Sequence, residues 1–401
     1  MRILGYELKK IFNWKLLLFM VVFTGLFYNM FLSFYLTKYY PSGHPSAEDY
    51  EIGKMLVTKY GPTLDQAELQ DFIHTDCQKN RQEMNDRIRK SKVFQDAKVM
   101  TLEQFEALNN DDNPNSNSLG NKLRDTLFAE DNSYGTMNKP LPAYMYQEMG
   151  SQIENYQTPS ATWLKANLSV FPADEQKFAK QTAAWEDAHG ASTLPDFPIL
   201  DSWSEGILRF LPTLLILNLM ILISPVLIRE KRSGVRDIAY TCKKGRPLLR
   251  TQFAAAMAAA ILTELVLLGG FLLIYCFGAH HDDLLFLDCR ISSIHGLIYG
   301  CNLKFWQFIL VNCVLMFLSA FSFALLSFAL SRVLKNYVAI LAVQIPVAFL
   351  GSRFLQWIFS NALNKFIAEP QWIVLCVAIL LLPLLFCVLL IHREQRINLL
   401  D

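Results

Sequence analysis

The chain has 401 residues, 52% of them hydrophobic and 18% charged, with 37 Lys and Arg against 36 Asp and Glu and eight cysteines. A charged fraction below the roughly 25% of a soluble domain excludes one soluble globule and a disordered chain, and so few cysteines exclude a disulfide-stapled miniprotein. The near-neutral total hides a split: Pro41 to Trp203 carries 15 basic and 25 acidic residues, and the remainder 22 basic and 11 acidic. Two chemically different parts share the chain, and no uniformly basic surface argues for nucleic acid.

In chain order, residues 1–15 predict an amphipathic helix. Ile3, Leu4, Leu8, Ile11 and Phe12 fall on one face, with Glu7, Lys9 and Lys10 beside them. Such a helix either lies in the headgroup layer, its lysines toward lipid phosphate, or is an ordinary basic flank. Residues 16–36 form a first span, since Leu16 to Leu36 contains no charge. That run is long for a signal-peptide core and no small-residue cleavage site follows it, so it predicts an uncleaved anchor.

Residues 37–203 predict a large, mainly helical domain. Gly61-Pro62 marks a turn, and Thr63 is a candidate cap before Asp65 to Glu68, with Leu69, Phe72 and Ile73 at helical spacing. Thr101 to Gln104 fits a capping box ahead of Phe105 and Leu108. Asn109 to Ser118 reads as a polar loop, and a further helix is expected near Gln176 to Ala188. His44, His74 and His189 are scattered and match no metal-ligand spacing, so no metal site is expected.

Further apolar runs predict spans at 204–228, 251–280, 305–330 and 372–392, and a weaker one at 337–352 that Pro346 and Arg353 interrupt. Lys and Arg cluster before the first span, in the 229–250 connection, in the 331–336 turn and in the 393–401 tail. Six spans put all four on one side, so both termini are expected inside. Residues 37–203, the 281–304 loop and the 353–371 segment then lie outside. The fold class expected is an α-helical polytopic membrane protein with six transmembrane helices and a large extracellular domain between the first two. Cys289 and Cys301 share the 281–304 loop and are either a disulfide or two free thiols.

Glu264 is the one charge inside the third span. It reads as a substrate or proton site, or as one end of a hydrogen bond to Thr263, Asn218 or Asn312 that locks neighbouring spans. No G-x-x-x-x-G-K-[ST] phosphate loop occurs, so the chain holds no ATP site of that kind.

The inner connection carries the most specific pattern. E-L-K-K-I-F precedes the first span (Glu7 to Phe12). After the second span come E-K-x-x-G (Glu230 to Gly234) and T-x-x-x-G-R (Thr241 to Arg246). In this order the chain resembles the permease subunit of an ATP-binding-cassette exporter of the six-span drug, peptide and polysaccharide export class, over roughly residues 1–40 and 204–401. The resemblance implies that Glu230, Gly234, Asp237, Thr241, Gly245 and Arg246 belong to a coupling helix that docks on a cytoplasmic ATPase. It implies that Glu7, Lys9, Lys10 and Phe12 belong to an interfacial elbow helix, and that 353–371 forms short re-entrant helices. Where the family often has lysine soon after that arginine, this chain has Arg250.

The function expected is that of a non-catalytic permease exporting an amphipathic peptide or drug-like cargo. ATP and Mg would sit on the partner subunit, with no cofactor in this chain. A second permease copy or a similar permease and the lipid bilayer complete the expected partners, in a bacterial plasma membrane. The alternative is a membrane sensor or scaffold that reads an extracellular ligand through the acidic domain. A membrane-embedded enzyme would need a cluster of reactive groups at membrane depth, and only Glu264 is there.

Overall fold

The computed structural model describes residues 2–38, 47–109, 116, 118–123, 160–171, 173–194, 199–200, 202–232, 248–278, 280–291, 303–334, 336–365 and 370–396. The chain divides into two compact units. The first comprises Met1–Thr37, Ser202–Gly278 and Gln307–Asp401, and the second Lys38–Asp201 and Ala279–Trp306.

The helices that build the first unit are α1 (Arg2–Ile11), α2 (Trp14–Phe27), α3 (Leu208–Arg232), α4 (Leu248–Phe277), α5 (Phe305–Val333), α6 (Tyr337–Lys365) and α7 (Pro370–Arg396). α2 runs on through a π-helical turn, Tyr28–Leu32. Among the described residues four helices are long and apolar enough to cross a membrane: Trp14–Leu32, Leu208–Pro225, Leu248–Phe277 and Phe305–Val333. Val338–Phe354 and Val377–Arg393 are shorter apolar stretches. The chain is an α-helical membrane protein. α2 leaves Leu18, Phe19, Val21, Val22 and Leu26 exposed, which water would penalise and lipid does not.

α3 is the most enclosed of these helices. Leu215, Ile216, Leu219 and Leu222 are wholly buried as it packs on α2, α4 and α6. Polar contacts fix its neighbours. Thr24 Oγ1 of α2 donates to Asn218 Oδ1 of α3 at 3.2 Å, and Gln344 Nε2 of α6 donates to Ser224 Oγ of α3 at 2.6 Å. The Cys387 thiol of α7 donates to the Leu325 carbonyl of α5 at 3.2 Å.

In α6 the apolar stretch is Val338–Phe354, and the helix itself continues through Arg353 to Lys365. Pro346 removes only one backbone donor, which a membrane helix tolerates. The Arg353 guanidinium lies 5.7 Å from the Phe349 ring one turn back, where the ring face receives its charge. The short re-entrant helices expected over 353–371 are therefore absent up to Lys365.

The second unit is mainly helical. Its principal helices are Ala47–Tyr60, Gln66–Phe72, Gln78–Lys90, Leu102–Asn109, Ser160–Ala166 and Ala173–His189. Its one described sheet pairs Thr63–Leu64 antiparallel with Ala191–Ser192. Met84, Ile88, Phe94, Leu102, Phe105 and Leu123 form a closed core cluster. Ser192 Oγ donates to the Arg290 carbonyl at 2.7 Å, and Phe305 N–H to the Cys289 carbonyl at 2.9 Å, so the 279–306 segment belongs to this unit.

Two caps refine the sequence expectations. Thr63 lies in the strand, and Asp65 is the cap: its Oδ1 accepts from Glu68 N–H at 2.8 Å while Glu68 Oε2 accepts from Asp65 N–H at 2.9 Å. This is a reciprocal capping box. At the other, Thr101 Oγ1 accepts from Gln104 N–H at 3.3 Å, and the Gln104 side chain reaches back one residue further, to Met100 N–H at 2.7 Å. The helix expected near Gln176 to Ala188 is present as Ala173–His189.

Candidate functional site

The site is the buried stripe of α4 around Glu264, a helix that packs on α1 and α3. On α4, Met257, Ala260, Glu264, Leu268 and Phe271 recur at three- and four-residue steps and are all buried. That spacing makes them one stripe of the helix. Two aromatic contacts set α4 and α5 antiparallel. Near one end the Phe253 and Phe328 rings are 5.2 Å apart. Near the other, the Trp203 indole lies 5.4 Å from Tyr275 of α4 and 5.8 Å from Phe308 of α5, and its N–H donates to the Tyr275 hydroxyl at 3.0 Å. Glu264 sits half-way between these contacts, about 16 Å of helix rise from each.

Glu264 has no exposed surface, and neither carboxylate oxygen has a hydrogen-bond partner. The three partners considered for it do not serve. Asn218 accepts from Thr24 and donates to the Leu214 carbonyl at 3.0 Å within its own helix. Asn312 donates to the Phe308 carbonyl at 2.9 Å, and its own Oδ1 is buried without a partner. Thr263, about 100° round the helix from Glu264, borders a cleft instead. The locking hydrogen bond is therefore not made. Two oxygens of Glu264 on α4 and one of Asn312 on α5 are buried without partners.

The adjoining face of α4, from Leu262 through Phe271 to Ile274, borders a cleft of about 510 Å³ between α2, α3 and α4. Thr24, Tyr28, Asn218 and Thr263 are its polar members in an otherwise apolar lining. A second cleft of about 410 Å³ lies between α2, α3 and α6, with Ser224 and Gln344 as its polar point. Surfaces of this kind take an apolar chain or ring and offer few polar contacts to orient it.

The elbow residues lie on α1 and just beyond it. Glu7 is buried and ion-paired with Lys10 at 2.8 Å, Lys9 is exposed, and Phe12 borders the first cleft. α1 packs along α4 with Glu7 and Ile11 inward, and it leaves Ile3 exposed. The single apolar face expected for it is thus divided between protein and surroundings. Glu230 falls in the last turn of α3. Gly234, Asp237, Thr241, Gly245 and Arg246 lie outside the described residues, as does Cys301. Cys289 is a buried thiol 3.3 Å from Thr193 Oγ1.

One polar network in the second unit was not anticipated. Tyr50 O–H donates to Asp283 Oδ1 at 2.6 Å, and His280 Nδ1 lies 2.9 Å from Asp283 Oδ2, all three side chains being buried. The run His280-His281-Asp282-Asp283 directly after an apolar span was the available signal. Among the described residues no three His, Cys, Asp or Glu side chains gather as metal ligands would. Comparison with protein-family models, curated proteins and solved structures gives no match.

Proposed function

We propose that this chain is the permease half of an ATP-binding-cassette exporter, moving an amphipathic peptide or drug-like cargo with ATP hydrolysed by a separate subunit. The observation that carries the reading is the basic 229–250 connection, which joins two long membrane helices, α3 and α4, directly. A subunit that grips Glu230 to Arg246 thereby acts on both helices at once. α3 is tied to α2 through Thr24–Asn218 and to α6 through Ser224–Gln344, so a tilt of α3 is passed on to both. The two largely apolar clefts beside α3 suit an amphipathic cargo better than a sugar or an ion.

In this reading the chain crosses the membrane six times, with α6 and α7 as the last two spans and both termini cytoplasmic. Residues 37–203 are extracellular, the membrane is a bacterial plasma membrane, and a second copy or a similar permease completes the path. α1 serves as the elbow at the inner surface, with Lys9 and Lys10 toward lipid phosphate.

The test is co-purification from the native membrane in mild detergent, comparing wild type with the double variant Gly234→Arg, Arg246→Glu. The expected result is an ATP-binding subunit recovered with wild type and lost with the variant. Folded wild-type protein that brings down no such subunit overturns the proposal.

A further inference from the structure

We propose that Glu264 is a membrane-embedded proton-binding site, occupied while the carboxyl is enclosed as it is here. The argument begins with what surrounds the carboxyl. A carboxylate in an apolar interior needs hydrogen-bond donors or a cation, because removing it from water costs far more than burying a neutral group. Glu264 has neither: its oxygens are buried and unpartnered, and its stripe on α4 is otherwise Met257, Ala260, Leu268 and Phe271.

The packed elements bring no compensating charge. Along α5 no charged residue occurs between Phe305 and Ser331, and its one thiol there is Cys313. Along α3 none occurs between Phe210 and Ile228. Arg229, Arg250 and Arg332 stand at helix ends, at least nine residues of rise from the level of Glu264. α1 brings Glu7 and Lys10, which pair with each other, and the exposed Lys9. Of the polar side chains on α5, Asn312 spends its donor on the Phe308 carbonyl and Ser322 its hydroxyl on the Leu318 carbonyl. No donor or cation reaches the carboxyl, and a proton on Glu264 is the one charge-neutralising partner the enclosed arrangement admits.

The site is also conditional. With the proton bound, the side chain is a neutral acid that the apolar stripe tolerates. Once ionised it requires water or a cation, and the enclosed stripe admits neither, so proton release is linked to opening of the packing around α4. A residue with a purely packing role would gain nothing from a carboxyl here, since leucine fills the same stripe without orphaned oxygens.

The experiment is chemical modification of the purified full-length chain in lipid nanodiscs. The apolar reagent dicyclohexylcarbodiimide adds a carboxylic acid O–H across its C=N bond to give an O-acylisourea, whose acyl group, shielded from water in apolar surroundings, migrates from oxygen to nitrogen to leave a stable N-acylurea. Its charged, water-soluble analogue serves as the second arm, and peptide mass spectrometry locates the adducts. We expect the apolar reagent to modify Glu264, the water-soluble reagent to leave it unmodified, and the adduct to be lost in Glu264→Gln. Folded wild-type protein without a Glu264 adduct, or with equal modification by the two reagents, overturns the proposal. The readout is on wild-type chain and needs no ATPase, so its failure is distinguishable from failure of the exporter reading.

Discussion

Tyr50 donates its hydroxyl to Asp283 Oδ1 at 2.6 Å across 233 positions of sequence, joining the Ala47–Tyr60 helix to the short turn His281–Phe286. Both residues are almost wholly buried. Removing a donor from a buried carboxylate costs about 1–3 kcal/mol. The neighbouring Lys54–Asp282 pair, at 3.2 Å and open to solvent, contributes about 0–1 kcal/mol. Thermal unfolding of Tyr50→Phe and Lys54→Ala therefore separates the two. We expect the phenylalanine variant to lose clearly more stability, and equal losses would show that the Tyr50–Asp283 bond does not hold this unit.

Gly206 and Gly269 test opposite consequences of a missing side chain. A Cβ at Gly206 would lie 2.3 Å from Cγ and 2.8 Å from Cβ of Tyr35, too near that residue's backbone for the ring to swing clear. Gly206→Ala should cost about 1–3 kcal/mol through overpacking. At Gly269 a Cβ meets nothing within 4 Å, and the residue lies inside α4. Gly269→Ala should be neutral or stabilising by up to about 1 kcal/mol, because alanine loses less backbone freedom in a helix. Unfolding in one detergent, read for both variants, checks the sign of each.

The membrane helices were legible because each required only a long apolar run with at most one internal charge: α4 and α5 begin and end within three residues of the spans read from sequence. The continuation of α6 to Lys365 was not legible, because Pro346 and Arg353 act as breakers only in isolation; in the helix the arginine has Phe349 one turn back. Glu264 was legible as an isolated charge. Its lack of partners was not, because Thr263, Asn218 and Asn312 are close in composition and pattern while their bonds go elsewhere. The union of 279–306 with the 38–201 segment rests on contacts such as Ser192 to Arg290, nearly a hundred residues apart, for which no local pattern exists.

Gln344 and Ser224 form a buried side-chain hydrogen bond between α6 and α3. Such bonds between membrane helices contribute about 0.6–2 kcal/mol, because the separated helices also find partners. Gln344→Leu and Ser224→Ala, measured singly and together, should give a double-mutant coupling energy in that range. Additive losses would mean that the two side chains share burial without energetic dependence.

Cys289 carries a thiol pushed up to about 11, first by burial, then by the nearby Asp288 charge, against an opposing hydrogen bond with Thr193. Its ordinary value is 9.0, so the folded state keeps a proton that the unfolded state releases. The stability this contributes is fully present below pH 9 and declines as pH rises from 9 toward 11. Because the thiolate is the nucleophile, folded protein at pH 7 should leave Cys289 unlabelled by maleimide. Unfolding without reductant should expose a reactive thiol at this position. Labelling in the folded state would refute the burial argument. Labelling that appears only after reduction would mean that Cys289 is bridged, with Cys301 twelve positions on as the first partner to examine.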